Sequence, residues 1–108
     1  MSMMAAETVL APTAVRPRLA PLWHVVLLDD DDHTYEYVIE MLCTIFRLDP
    51  RAAYAMACEV DRTGRVIVHT GLLEQAEFKR EQIHGFGADP RLKRSQGAMT
   101  AVLEPAPV

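Results

Sequence analysis

The chain has 108 residues, half of them hydrophobic and 24% charged, so it has room for one small domain with a single core. Its formal net charge is −4, which disfavours nucleic-acid binding, because such proteins normally present a basic patch. No apolar run approaches membrane-spanning length, and charges and prolines interrupt the early apolar residues, unlike in a secretory signal. We therefore expect a cytoplasmic protein that does not bind membranes.

The folded domain is predicted to start near residue 22. Residues 1–21 are rich in Ala, Met and Pro without helical or strand periodicity, which predicts a flexible N-terminal extension. The domain is expected over residues 22–104, and residues 105–108 are expected to form a loose tail. Residues 23–28 are an apolar, β-branched run that predicts a buried strand.

Two helices are predicted next. Thr34 is a favourable N-cap, and apolar residues then recur three and four positions apart as far as Ile45. Asp49 followed by Pro50 marks the start of the second helix. The expected apolar positions are Tyr35, Val38, Leu42 and Ile45 on the first helix and Ala53, Met56, Ala57 and Val60 on the second.

The remaining chain predicts one helix between two strands. Residues 65–70 contain a β-branched run, residues 72–84 are rich in helix formers, and residues 98–103 form a short last strand after a polar loop. The order β-α-α-β-α-β predicts an α+β fold, in which three helices pack on a three-stranded antiparallel sheet.

Four consecutive aspartates, residues 29–32, follow the first strand directly. Like charges this close repel one another, and their burial costs free energy unless a cation or hydrogen-bond donors compensate. One interpretation is a solvated acidic turn that caps the first helix. The other is an anionic site for a cationic ligand.

Other functions for the aspartates fit the sequence less well. A strand ending in two aspartates also occurs in receiver domains, but those need five βα units, and this chain has too few strands. A divalent cation could bind residues 29–32 with His33, although adjacent aspartates rarely converge on one ion. Cys43 and Cys58 lack zinc-site spacing, and no nucleophile–base pair or phosphate loop is recognisable. We expect no metal, no cofactor and no enzymatic activity.

Four segments together resemble the ClpS family over about residues 22–104: residues 25–31, 35–42, 63–64 and 74–79. ClpS proteins are adaptors that bring proteins with a destabilising N-terminal residue to a Clp AAA+ unfoldase and its protease. The resemblance implies that the ligand is an N-degron, meaning a free α-amino group with a large hydrophobic first side chain. A monomer is expected.

The resemblance also implies the binding residues. Asp29, Asp30 and Asp61 are expected to contact the α-ammonium, although the family has Asn at the first of these positions and His at the last. A carboxylate accepts a charge-assisted hydrogen bond from an ammonium at least as well, so we expect a more anionic site with stronger salt dependence. The residues expected to line the side-chain pocket are Asp31, His33, Tyr35, Ala57, Val60 and Met99.

Three of these pocket positions depart from the family. Tyr35 and Ala57 stand at family methionines, and His33 stands at a family threonine. Because one methylene in such a pocket is worth only about 1–3 kcal/mol, these changes should alter the preferred first residue without abolishing apolar binding.

Glu74 and Lys79 match charged family positions that dock on the N-terminal domain of the unfoldase. A solvated helix face explains them equally well. The departures at Asp29 and Asp61 also fit an alternative, a divergent ClpS-fold peptide-binding module that is no longer coupled to proteolysis.

Overall fold

This computed structural model describes residues 20–107. Within them, three helices and three strands follow one another in the predicted order. The elements are β1 (Leu22–Leu28), α1 (Tyr35–Phe46), α2 (Pro50–Thr63), β2 (Arg65–Leu72), α3 (Leu73–His84) and β3 (Ala101–Pro105).

The three strands form one antiparallel sheet with β1 in the centre, in the order β2-β1-β3. Leu28 pairs with Arg65 of β2, and Leu27 pairs with Ala101 of β3, so the end of β1 lies between the starts of both neighbours. α3 packs against all three strands, and α1 packs on α2 and α3. The predicted α+β fold is therefore confirmed. A receiver-like parallel sheet is excluded for the described residues.

Side-chain caps begin the first two helices, as predicted. The Thr34 hydroxyl accepts a hydrogen bond from the backbone N–H of Tyr37 at 3.1 Å, and the Asp49 carboxylate accepts one from that of Arg51 at 2.7 Å. Gly64 ends α2 in the left-handed region at φ 90°, where a residue without Cβ is favoured. The caps at Thr34 and Gly64 lie next to the acidic run in the structure.

The core face of α1 differs from the prediction at its first position. Tyr35 is 37% exposed, whereas Tyr37 and Met41 are buried with Val38, Leu42 and Ile45. The apolar spacing alone did not show whether Tyr35 or Tyr37 belongs to the buried face of α1. That choice depends on how α1 packs against the other elements.

The last strand begins three residues later than predicted and extends into the expected loose tail. Pro105 pairs with Trp23 at the end of β3, and the N–H of Ala106 donates to the carbonyl of Leu22 at 2.9 Å. Proline is tolerated here because β3 is an edge strand. Residue 108 and residues 1–19 of the predicted extension lie outside the described residues.

Residues 85–100, here called the linking loop, are fastened to the start of α1 by a buried carboxylate. Asp89 is 1% exposed, and its Oδ2 accepts hydrogen bonds from the N–H and the hydroxyl of Thr34 at 2.7 and 2.8 Å. Its Oδ1 accepts from the N–H and the guanidinium of Arg91 at 3.0 and 3.2 Å. Burial alone would raise the pKa of Asp89, but these donors outweigh it and hold the pKa at about 2.

We expect Asp89→Asn to lower the free energy of unfolding by about 1.5–3 kcal/mol, the scale of a hydrogen bond to a charged group. The loss arises because an amide nitrogen would face donors that now contact a carboxylate oxygen. Urea denaturation measures it, with Asp49→Asn as the control, since Asn caps a helix as well as Asp does.

The same residue predicts a pH dependence of stability. Because the pKa of Asp89 is lowered, its contribution is complete above the ordinary value of 3.8 and is lost as the pH falls towards about 2. The difference between the wild type and Asp89→Asn should shrink over that range. An equally stable Asp89→Asn variant at neutral pH would contradict this role.

Candidate functional site

A cavity of about 280 Å³ lies where the acidic run meets α1, the end of α2 and the linking loop. The three aspartates predicted to contact an ammonium and the six residues predicted for the side-chain pocket all line it. Three lining residues were not predicted, namely Thr34, Val38 and Arg94. The structure thus brings the predicted residues together, while their binding of a ligand stays a prediction.

Backbone pairing at the end of β1 puts the acidic run at this cavity. The N–H of Leu28 donates to the carbonyl of Thr100, and that of Asp29 donates to the carbonyl of Gly64, both at 3.0 Å. Gly64 follows the last turn of α2, which carries Asp61. Asp29 and Asp61, 32 positions apart in the sequence, therefore face the same cavity.

Burial and the neighbouring carboxylates both disfavour the charged form of Asp29. The pKa of Asp29 is raised, first by burial, then by the charge of Asp61 and less by those of Asp30 and Asp31, against a lowering contribution from a backbone hydrogen bond. A cation bound between them would relieve this repulsion. A positively charged group is therefore the ligand chemistry that this end of the cavity favours.

Tyr35 lies beside the carboxylates as well as in the pocket. Its hydroxyl donates to Asp61 Oδ2 at 2.6 Å, and this hydrogen bond is the main reason that the pKa of Tyr35 rises to about 12. The phenol therefore stays protonated and orients the Asp61 carboxylate. Within residues 20–107, Asp61 Oδ1 accepts no hydrogen bond.

His33, predicted for the side-chain pocket, lines the cavity and forms a polar part of it. Its side chain is 3% exposed, but Nδ1 lies 2.7 Å from Asp30 Oδ1 and Nε2 lies 2.7 Å from the Gly97 carbonyl oxygen. The His33 ring therefore connects Asp30 to the backbone of the linking loop through polar contacts. Asp31, predicted for the same pocket, is exposed and adds charge to its rim.

The apolar part of the lining consists of Val38, Ala57, Val60 and Met99, here called the apolar wall. All four residues are at most 5% exposed. They come from α1, α2 and the linking loop, and they lie in the same cavity as the carboxylates. The cavity can accordingly receive a ligand with one charged and one apolar group.

Arg94 is the most informative residue that sequence reasoning missed. Its Nε donates to the carbonyl of Asp31 at 2.8 Å, its Nη2 donates to the same oxygen, and Nε lies 3.2 Å from Asp32 Oδ1. It therefore compensates part of the acidic run. The basic character of this loop was visible in the sequence, but a pairing across 63 residues has no local signal.

Glu74 and Lys79, predicted to dock on an unfoldase, lie on α3 outside the cavity. Glu74 is exposed. Lys79 instead donates to the carbonyl of Ile45 at 2.9 Å, and its Nζ lies 5.4 Å from the centre of the Phe46 ring. Lys79 thus stabilises the end of α1, and a docking role for either residue stays a prediction.

Two kinds of feature are absent from residues 20–107. No group of three or more His, Cys, Asp or Glu side chains in this range is arranged to hold a metal ion. The helices of this range are also too short or too polar to span a bilayer.

We expect Asp61→Asn to lower the pKa of Asp29, because the variant removes the Asp61 charge that repels the Asp29 carboxylate. Carboxyl ¹³C titration by NMR measures the shift, with Asp49→Asn as a charge-matched control. An unchanged pKa of Asp29 would show that the two carboxylates are not electrostatically coupled.

Comparison with known proteins identifies the fold and the family. The sequence model of ClpS, the ATP-dependent Clp protease adaptor protein, matches residues 18–91. The ClpS adapter of a Synechococcus species is 34% identical over 88 residues, which cover 80% of this chain and 97% of that protein. The ClpS adapter of Nautilia profundicola is 38% identical over 63 residues, which cover 58% of this chain and 65% of that protein.

A solved structure agrees with this result. Agrobacterium tumefaciens ClpS2 bound to L-phenylalaninamide has a TM-score of 0.71 and 24% sequence identity, covering 82% of this chain and all of that one. At this identity the likeness shows a common fold. Arg94 and Met99 lie beyond the segment that the family model matches. On the family match and the sequence identities, this chain belongs to the ClpS family of Clp protease adaptors.

Proposed function

We propose that this protein binds N-degrons and delivers them to a Clp AAA+ unfoldase, without performing chemistry itself. One observation carries the proposal: carboxylates with unused oxygens stand beside a buried apolar wall in one cavity. The first residue of a polypeptide has the matching chemistry, because its α-ammonium and its side chain are bonded to the same carbon atom.

The ammonium is assigned to Asp29, Asp30 and Asp61. An ammonium has three hydrogens to donate, and each carboxylate oxygen can accept a charge-assisted hydrogen bond. Within the described residues, Asp30 Oδ2 and Asp61 Oδ1 accept no hydrogen bond. The repulsion that raises the pKa of Asp29 would fall when the cation binds.

The side chain is assigned to the apolar wall. The volume of about 280 Å³ is close to the lower limit of about 300 Å³ for small-molecule pockets, so the space suits one residue. L-phenylalaninamide, the ligand of the ClpS2 neighbour, has an α-amine and a benzyl side chain. That agreement supports the assignment of a large hydrophobic first residue here.

We expect a peptide that starts with Phe or Leu to bind, and acetylation of its N-terminus to weaken binding by about tenfold or more, because the carboxylates lose a charged donor. Isothermal titration calorimetry measures both peptides. Asp30→Asn should reduce the preference for the free amine, whereas Asp49→Asn, far from the cavity lining, should keep it. Equal affinity of the free and acetylated peptides would refute the proposal.

The affinity should also fall on acidification. The raised pKa of Asp29 means that its carboxylate is neutralised at a higher pH than an ordinary aspartate, which removes attraction for the ammonium. Added salt should weaken binding as well, since part of the attraction is between exposed charges.

Delivery requires a second surface that docks on the unfoldase. Of the two residues predicted for it, Glu74 gives a sharper test than Lys79. We expect Glu74→Arg to weaken binding to the isolated N-terminal domain of a Clp unfoldase and to leave peptide affinity unchanged. Glu59→Arg makes the same charge change at an exposed position of α2 and serves as the control. Lys79 is unsuitable because its substitution would also disturb α1. A protein that binds peptides but no unfoldase domain would be a peptide-binding module without delivery.

A further inference from the structure

We infer that His33 is a positioning residue: it orients the Asp30 carboxylate for the ligand ammonium and ties this carboxylate to the segment that carries Met99. The inference rests on the proposed function. It assigns a role to a side chain that neither contacts the ammonium nor belongs to the apolar wall.

The hydrogen-bond partners of His33 indicate which of its ring nitrogens carry a hydrogen. Nε2 lies 2.7 Å from the carbonyl oxygen of Gly97, which can only accept, so Nε2 must donate. Nδ1 lies 2.7 Å from Asp30 Oδ1, and an ionised carboxylate also only accepts. Because neither acceptor carries a hydrogen, we assign a hydrogen to each ring nitrogen of His33, whose side chain is 3% exposed, and the contact with Asp30 is then a charge-assisted hydrogen bond.

This arrangement divides the two oxygens of Asp30 between the protein and the ligand. Oδ1 accepts from His33 Nδ1 and from the backbone N–H of Asp32 at 2.9 Å. Rotation of the carboxylate would break both hydrogen bonds. Oδ2 is consequently presented in one direction before the ligand arrives, which reduces the ordering cost of binding.

The second ring nitrogen connects this carboxylate to the apolar wall. Gly97 lies 64 positions from His33 in the sequence and two positions before Met99, which is 2% exposed. The ring also packs against Tyr37, with 4.5 Å between ring centroids. One side chain therefore fixes the distance between the place for the ammonium and the place for the first side chain.

Calorimetry of His33 variants tests the inference, using the ratio of Kd values for acetylated and free Phe-initial peptides. We expect His33→Ala to reduce this ratio by about tenfold, the scale of one hydrogen bond to a charged group. His24→Ala should keep the wild-type ratio. It is the matched control, because His24 is a partly buried histidine bonded to Thr70 Oγ1 on β2.

His33→Thr separates the two hydrogen bonds of the ring. A threonine hydroxyl can donate to Asp30 but is too short to reach Gly97 as well. We therefore expect His33→Thr to keep a higher Kd ratio than His33→Ala, while both peptides bind His33→Thr more weakly than they bind the wild type. Thermal unfolding followed by circular dichroism identifies the folded variants. A folded His33→Ala or His33→Thr protein with both wild-type affinities would overturn the inference.

An NMR measurement tests the donor assignment without any variant. Both ring hydrogens of His33 should give ¹H–¹⁵N cross peaks in the unliganded protein, because hydrogen bonding and burial slow their exchange with water. The absence of either would overturn the assignment. A wild-type protein that does not distinguish the two peptides, but shows both cross peaks, would instead refute the proposed function.

Discussion

Crowding of carboxylates at the end of β1 is the constraint on which the rest of the site depends. Charges this close are tolerated only where donors or cations compensate them, and the linking loop supplies much of that compensation. Arg94 contacts Asp31 and Asp32, and the Gly97 carbonyl holds the histidine that donates to Asp30. What remains uncompensated faces the cavity, and this is the basis of the proposed binding of an ammonium there.

A second buried carboxylate, Asp89, connects the linking loop firmly to the domain. Asp89 is buried by the contact between the loop and α1, and it is stabilised as a carboxylate by Thr34 and Arg91. Thr34 in turn caps α1. The start of the helix, the loop and the acidic run therefore form one hydrogen-bonded unit, so the geometry of the cavity exists before any ligand binds.

Membership of the ClpS family places this chain among adaptors. The resemblance implies an amide and an imidazole at the positions that Asp29 and Asp61 occupy here. In this chain the Tyr35 hydroxyl donates to the Asp61 carboxylate. The described cavity therefore has several carboxylates and an internal hydrogen bond that orients one of them.

Local patterns in the sequence determined the helices, the central strand and the caps at Thr34 and Asp49, because these depend on side-chain spacing and nearby backbone hydrogen bonds. The resemblance to ClpS identified most of the residues that the structure gathers in one cavity, but not Thr34, Val38 and Arg94. Only the tertiary structure decided the buried face of α1, the shift of β3 and the contacts of Asp89 and Arg94. Those features depend on partners some 50 to 80 positions away in the chain, and such pairings follow from how the elements pack rather than from any short stretch of sequence.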